Sequence, residues 1–374
     1  MQSACPIRRN ESWESMPLAH TSSPRLQPLP FRPQDEPCRI GFFLVPSFSM
    51  IAFASALEPL RAANHCAESV LFSWYLHSID GQPVTASNGI EISVDGSFRD
   101  ANKLAAFIVC AGVNVQNFDH SDLIATMRRI SSSGSGVGAV CTGSYVLAKA
   151  GLLDNHRCTI HWDNLASMVA NFPNLEVSEK LFEIDRNRFT CAGGTASIDM
   201  MLSIIASDYN EELAAHIADL LIHHRIREGS ERQRMDLRNR LGVTHPKLLA
   251  VIRIMEETIE SPVTCPELAR QASVSSRQLE RLFSKYLGHS PTRHYLIVRL
   301  ERARFMLLQT SMPILSVATA CGFVSASHFS KSYSDHFRCT PSAERRERTP
   351  GASDSSHGPT ARMARRSKPE AQSR

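Results

Sequence analysis

Between residue 39 and about residue 209 the chain alternates short apolar runs with stretches of helical period. The runs at 40–45, 73–79, 105–110 and 136–140 read as buried strands: short, continuous, and bounded by turn formers. The stretches at 51–64, 121–131 and 145–150 read as helices. Strand and helix in alternation predict a largely parallel sheet covered on both faces, within one α/β domain. From about residue 210 no strand pattern remains. An amphipathic helix is expected over 211–228, a highly charged connector over 227–240, and helices onward to about residue 342.

The helical region repeats itself. Ala269 and Ala318 lie 49 residues apart, as do Ser273 and Gly322. One extra turn residue makes the offset 50, which pairs Leu279 with Phe329, Phe283 with Tyr333, Leu287 with Phe337 and Pro291 with Pro341. Each half reads as helix, tight turn, helix. In the second half Ile314, Val317, Ala318 and Cys321 share a helix face, Gly322 supplies the turn, and Phe329, Tyr333 and Phe337 line the next helix. In the first half Leu268, Ala269 and Ala272 precede the Ser273–Ser275 turn. Leu279, Leu282, Phe283 and Tyr286 are the expected buried stripe. A small alanine lets the second helix cross closely, as a DNA-binding helix-turn-helix requires.

Composition narrows the class. The chain has 374 residues, 43% of them hydrophobic, and no apolar run of membrane-spanning length. Pro6, Arg8, Arg9, Asn10 and Glu11 break any signal-peptide core, so a cytoplasmic location is expected, with no membrane partner. None of the ten cysteines forms a Cys-x-x-Cys pair. No metal, cofactor or disulfide framework is expected, and Cys110, Cys158, Cys191 and Cys321 fall in apolar runs as small hydrophobes. Charge is divided unevenly: residues 38–210 carry 11 Lys and Arg against 16 Asp and Glu, residues 244–348 carry 15 against 9. A basic module behind an acidic one points the C-terminal part toward a polyanion, which the helix-turn-helix reading makes double-stranded DNA. The expected plan is a disordered tail at 1–37, the α/β domain at 38–209 and a helical linker at 210–243. The DNA-binding domain follows at 244–346, its helix-turn-helix units at about 265–288 and 314–337, and a basic disordered tail occupies 347–374.

The second half carries Ile314-x-x-Val317-Ala318-x-x-Cys321-Gly322-Phe323-x-Ser325, then His328-Phe329-Ser330-Lys331, Tyr333, Phe337 and Pro341. The first carries Leu268-Ala269, Ser275, Leu279, Arg281-Leu282-Phe283, Gly288 and Ser290-Pro291. This region resembles the AraC/XylS family of regulators, apart from Glu344, where the family usually has an aromatic. The resemblance implies two helix-turn-helix units bridged by a helix over 291–308. It places Ser276, Arg277, Glu280 and Arg281 on the groove-facing side of the first recognition helix, and Ser325, Ser327, His328 and Lys331 on that of the second. Arginine suits bidentate contact with guanine, and glutamate accepts from cytosine.

In the α/β part, Val137–Gly143 runs from strand through a sharp turn into helix, the build of a nucleophile elbow with Cys141 at its tip, where a helix N-terminus lowers a thiol pKa. His161, before Trp162, offers a base. Phe42–Val45, Leu57-Glu58, Val109–Gly112, Cys141-Thr142-Gly143, His161-Trp162 and Cys191-Ala-Gly-Gly194, in that order, resemble the ThiJ/PfpI-like class of the glutamine amidotransferase superfamily, which implies a flavodoxin-like parallel-sheet sandwich. Two departures speak against catalysis: Thr142 stands where the hydrolases carry histidine, and Ala52 where relatives carry the acid that contacts the thiol. The two domains together resemble GlxA-type regulators. Residues 48–64 look closest to members controlling catabolism of arginine, glycine betaine, carnitine or sarcosine. The expected function is therefore transcription activation by a homodimer, with RNA polymerase as partner and a small amine or amino-acid-derived effector. Phe48, Phe53, Glu58, Trp162 and Asp163 would serve the cationic group and the amides at Thr142-Gly143 and Gly193-Gly194-Thr195 its carboxylate, with Cys141 and His161 also at the ligand site. The alternatives are a thiol hydrolase or deglycase carrying a DNA-binding appendage, and a regulator switched by oxidation of Cys141.

Overall fold

The computed structural model describes residues 36–235, 237–309 and 312–347. The tails expected at 1–37 and 347–374 lie outside these, apart from their inner ends. The described residues form two compact units, the chain passing from the first to the second between Gln233 and Arg234.

The first unit begins with β1 (Cys38–Leu44), α1 (Met50–Cys66), β2 (Phe72–Ser78), β3 (Val84–Thr85), β4 (Glu91–Ile92) and β5 (Gly96–Ser97). Then follow β6 (Ala106–Ala111), α2 (Ser121–Ser132), β7 (Gly136–Cys141), α3 (Gly143–Lys149), β8 (Arg157–Thr159) and α4 (Leu165–Asn171). It closes with β9 (Glu176–Ser178), β10 (Phe182–Asp185), β11 (Arg188–Cys191), α5 (Ala196–Asp208) and α6 (Glu211–Leu220). The main sheet has the order β10-β11-β7-β6-β1-β2-β5 and is parallel except at the β10–β11 edge. Neighbouring strand residues serve opposite faces: Phe42 joins the core under α1, α5 and α6, while Phe43 joins the core under α2 and α3. Both faces are buried, so the strands read as continuous apolar runs.

The helix expected over 211–228 ends at Leu220. Ile222 takes φ +55°, and His223 N–H bonds back to the Ala218 carbonyl at 2.8 Å, the hydrogen bond of a Schellman stop. A β-branched residue in that left-handed position is costly, so the stop could not be read from residue type. Residues 221–233 return over the α/β unit as an irregular strap.

The second unit consists of α7 (Leu237–Leu241), α8 (Pro246–Glu257), α9 (Cys265–Gln271), α10 (Ser276–Leu287), α11 (Pro291–Gln309), α12 (Ile314–Ala320), α13 (Ala326–Phe337) and α14 (Pro341–Glu347). The repeat holds at the backbone. The α9–α10 turn puts Ser273 at φ +52° where the α12–α13 turn puts Gly322 at +73°, and Gly288 and Arg338 end α10 and α13 at +73° and +61°. Gly322 is required for space as well as for φ, since a Cβ there would come within 2.5 Å of the Ile259 carbonyl oxygen. Two cores result, one per half, and α11 serves both through Tyr295 in the first and Leu300, Ala303 and Leu307 in the second. The stripe of α10 differs from expectation in two residues: Leu282 is only half-buried and outside the core, Tyr286 is exposed beside His245 and Lys285, and Leu287 packs inward. Leu279, Phe283 and Leu287 at four-residue spacing already fill that face.

Candidate functional site

The two candidate recognition helices are built alike. Ser275 Oγ accepts from Gln278 N–H at 3.2 Å and Gln278 Oε1 accepts from Ser275 N–H at 2.9 Å, a capping box that fixes the start of α10. Ser325 Oγ accepts from His328 N–H at 3.3 Å at the start of α13. Leu279 and Phe283, and Phe329 and Tyr333, are buried and anchor one face of each helix. The other face carries Ser276, Arg277, Glu280 and Arg281 on α10, and Ser327, His328 and Lys331 on α13 with Ser325 at its head, all of them exposed. Between the two helix-turn-helix halves α11 runs 19 residues, about 28 Å at helical rise, against the roughly 34 Å between successive major-groove segments.

Two supports of this surface were not legible in the sequence. Arg299 donates from Nε and Nη2 to the carbonyls of Cys321 and Gly322, each at 2.8 Å, and lies 4.2 Å over the Phe323 ring, so α11 holds the turn that aims α13. Glu344, the departure from the family pattern, is a buried tie. Its oxygens accept from Arg304 Nε at 2.7 Å, Tyr333 O–H at 2.7 Å and Cys339 Sγ at 3.0 Å, which binds α11, α13 and α14 together.

The elbow in the first unit is present. Cys141 ends β7 at φ +59°, a strained position for a side-chain-bearing residue. The turns after four adjacent parallel strands close around it. Thr142 Oγ1 donates to the Gly112 carbonyl at 2.6 Å, Gly112 bridges to Phe48, and a Cβ on Gly193 would come within 2.7 Å of Cys141 Cβ. This is the position, at the carboxyl ends of parallel strands, at which α/β sheets take ligands. His161 belongs to the same cluster: its N–H donates to the Cys141 carbonyl at 3.3 Å, and its ring lies 5.4 Å from that of Trp162, which is 40% exposed.

The thiol differs from the sequence expectation. Burial pushes Cys141 up to about 12, and the neighbouring Cys191 thiol and Asp163 carboxylate add to the rise against the lowering effect of the Thr142 N–H. Desolvation exceeds the benefit of the helix start. Burial lowers the His161 pKa, and its Nδ1 accepts from Asp163 N–H at 3.3 Å. Among the described residues no hydrogen bond joins this imidazole to the thiol. The other proposed ligand residues divide. Gly194, at φ +57°, follows Gly193 in the framing turn. Phe48 and Phe53 pack edge-to-face in the core, centroids 5.7 Å apart. Glu58 is ion-paired with Arg61 Nε at 2.7 Å, both side chains partly exposed.

Paired helix-turn-helix units with exposed polar heads, following an α/β unit with a glycine-framed elbow, define a DNA-binding transcription regulator. A helix-turn-helix domain model matches residues 268–347, and the DJ-1/PfpI family model matches residues 38–207. The HTH-type transcriptional regulator GbdR of Pseudomonas aeruginosa is 45% identical over 87% of this chain and 88% of its own length. CdhR, a regulator of the same description and organism, is 42% identical over 81% and 90%. GlxA of Rhizobium meliloti is 37% identical over 82% and 95%. The chain belongs to the AraC/XylS family of transcriptional regulators, in the GlxA-type group with a DJ-1/PfpI-like N-terminal domain.

Proposed function

We propose that this regulator is a ligand-responsive activator whose α/β unit senses a small amine, betaine or amino acid in the crevice over Cys141. The observation that carries this reading is an elbow kept in geometry but not in reactivity: the positive φ and the glycine frame remain, while burial holds the thiol at about 12. A nucleophile needs its thiolate, so the same feature argues against a thiol hydrolase. Trp162 offers an exposed aromatic surface to an ammonium group, and Asp163 an adjacent carboxylate. The turn at Gly193–Thr195, at the head of α5, would take the effector carboxylate. Arg281 and Lys331 lead base and phosphate contacts on the two recognition helices. The active species is proposed to be a cytoplasmic homodimer that engages RNA polymerase, with no cofactor.

A thermal-shift series on the full chain with glycine betaine, carnitine, sarcosine and arginine tests the reading. An effector at 100 times its dissociation constant adds about 2.7 kcal/mol of stability. A shift from at least one compound, lost in Trp162→Ala, is expected. Shifts that survive Trp162→Ala would move the site away from the elbow.

A further inference from the structure

The strap at 221–233 is fastened to the two loops that frame the elbow, and at the residue after it the DNA-binding unit begins. Its first anchor is Asp199, fully buried on α5 four residues past Thr195. That carboxylate bonds to His223 Nε2 at 2.8 Å and accepts from the Arg227 backbone N–H at 2.7 Å, Arg227 Nε at 2.9 Å and Arg227 Nη2 at 2.6 Å. Arg227 Nη2 also donates to Thr195 Oγ1 at 2.8 Å, in the turn whose Gly193 packs on Cys141. The second anchor is backbone: Leu181 N–H donates to the Gly229 and Glu231 carbonyls at 3.0 and 2.8 Å, and a Cβ on Gly229 would come within 2.8 Å of the Phe182 carbonyl oxygen. The third is Gln233, whose Nε2 donates to Thr159 Oγ1 at 3.0 Å and to the Ile160 and Lys180 carbonyls at 2.9 Å each, immediately before His161. Arg234 opens the second unit.

We propose that this strap carries the signal between the crevice and the DNA-binding unit, with Arg227 reading the Gly193–Thr195 turn and Gln233 reading the His161 loop. The proposal rests on the sensor reading of the elbow. A ligand that shifts either loop moves a hydrogen-bond partner of the strap, and a buried carboxylate with all its bonds drawn from one segment leaves that segment little freedom to ignore the movement. Coupling of this kind is reciprocal, so DNA bound to the second unit must be felt in the loops of the first. That permits a test with no effector present.

The test is hydrogen exchange on the full chain, with and without a duplex recovered by binding-site selection. In the wild type the duplex should change exchange at least threefold in 222–233, and also in 159–163 and 193–197. Gln233→Ala removes three hydrogen bonds without exposing a buried charge. It should bind the duplex within twofold of wild type while the change no longer reaches 159–163. Thr195→Val removes the hydroxyl that Arg227 Nη2 reaches while leaving the bonds between Arg227 and Asp199 in place, and it should silence 193–197. A purely structural strap would give variants of altered stability that still pass the response. Wild-type loops indifferent to DNA, or both variants passing the change undiminished, overturn the proposal. Failure of every effector to bind while this response persists would instead overturn only the sensor reading.

Discussion

Replacing Glu344 by alanine probes how the second recognition helix is held. The carboxylate is only 7% exposed and ties Tyr333 of α13 to Arg304 of α11. The Arg304 side chain is 47% exposed, so solvent screening leaves that ion pair worth well under about 1 kcal/mol. The Tyr333 hydroxyl decides the magnitude. Tyr333 is fully buried, and losing a bond to a charged acceptor while leaving a buried donor unpaired costs about 3 kcal/mol. In a unit of roughly 110 residues this lowers the melting temperature by about 12 °C or more. Calorimetry on the full chain reads it in the transition that operator DNA raises. Glu344→Gln keeps one acceptor and the shape, and should cost less than half as much. Burial works against the Glu344 charge, but the donors Cys339, Tyr333 and Arg304 outweigh it and hold its pKa below the usual range. A depressed carboxylate contributes stability above its unfolded value of about 4.3 and loses it as pH falls through the folded one, so the wild-type advantage over Glu344→Gln should shrink below about pH 4. A Glu344→Ala transition within about 0.5 kcal/mol of wild type would refute the tie, since that is the scatter of an ordinary surface substitution.

Residues 234–348 alone should fold and bind operator DNA, with affinity falling steeply as salt rises; a flat salt response in a titration from 50 to 200 mM contradicts phosphate-led binding. Arg281→Ala should lose base discrimination in one half-site, costing about 1–3 kcal/mol there in a competition assay, whereas a uniform loss across sequences makes Arg281 a phosphate contact. Phe329→Ala, which empties the second core, should cost about 3–5 kcal/mol and abolish binding to that half-site while the first is still protected in footprinting.

Local chemistry made much of this molecule legible in its sequence. The 49- and 50-residue offsets reappear as matched left-handed positions, at Ser273 and Gly322 and at Gly288 and Arg338, because the same steric problem of a second helix crossing a first was solved twice. The elbow was legible because a strand running into Cys141-Thr142-Gly143 leaves few backbone paths. What escaped was long-range. The Asp199–Arg227 and Gln233–Thr159 bonds join residues 28 and 74 positions apart, and nothing in their local pattern announces them. The Cys141 thiol went the other way from expectation for a related reason: proximity to a helix start is local, whereas the burial that dominates it is set by four strands and their loops. Phe48 and Phe53 looked available as an aromatic cage, yet the turn at Gly112 draws Phe48 into the core.

Sensing without catalysis is the central claim, and inducer-dependent transcription by Cys141→Ser tests it most directly. The inducer is the compound giving the largest thermal shift, and the template carries the selected operator. Serine nearly preserves the volume at the elbow and removes the thiol, so the fold induction should match wild type, and Trp162→Ala should lose it. An inert Cys141→Ser protein that still binds operator with wild-type affinity would contradict the account and return the thiol to the centre of the mechanism.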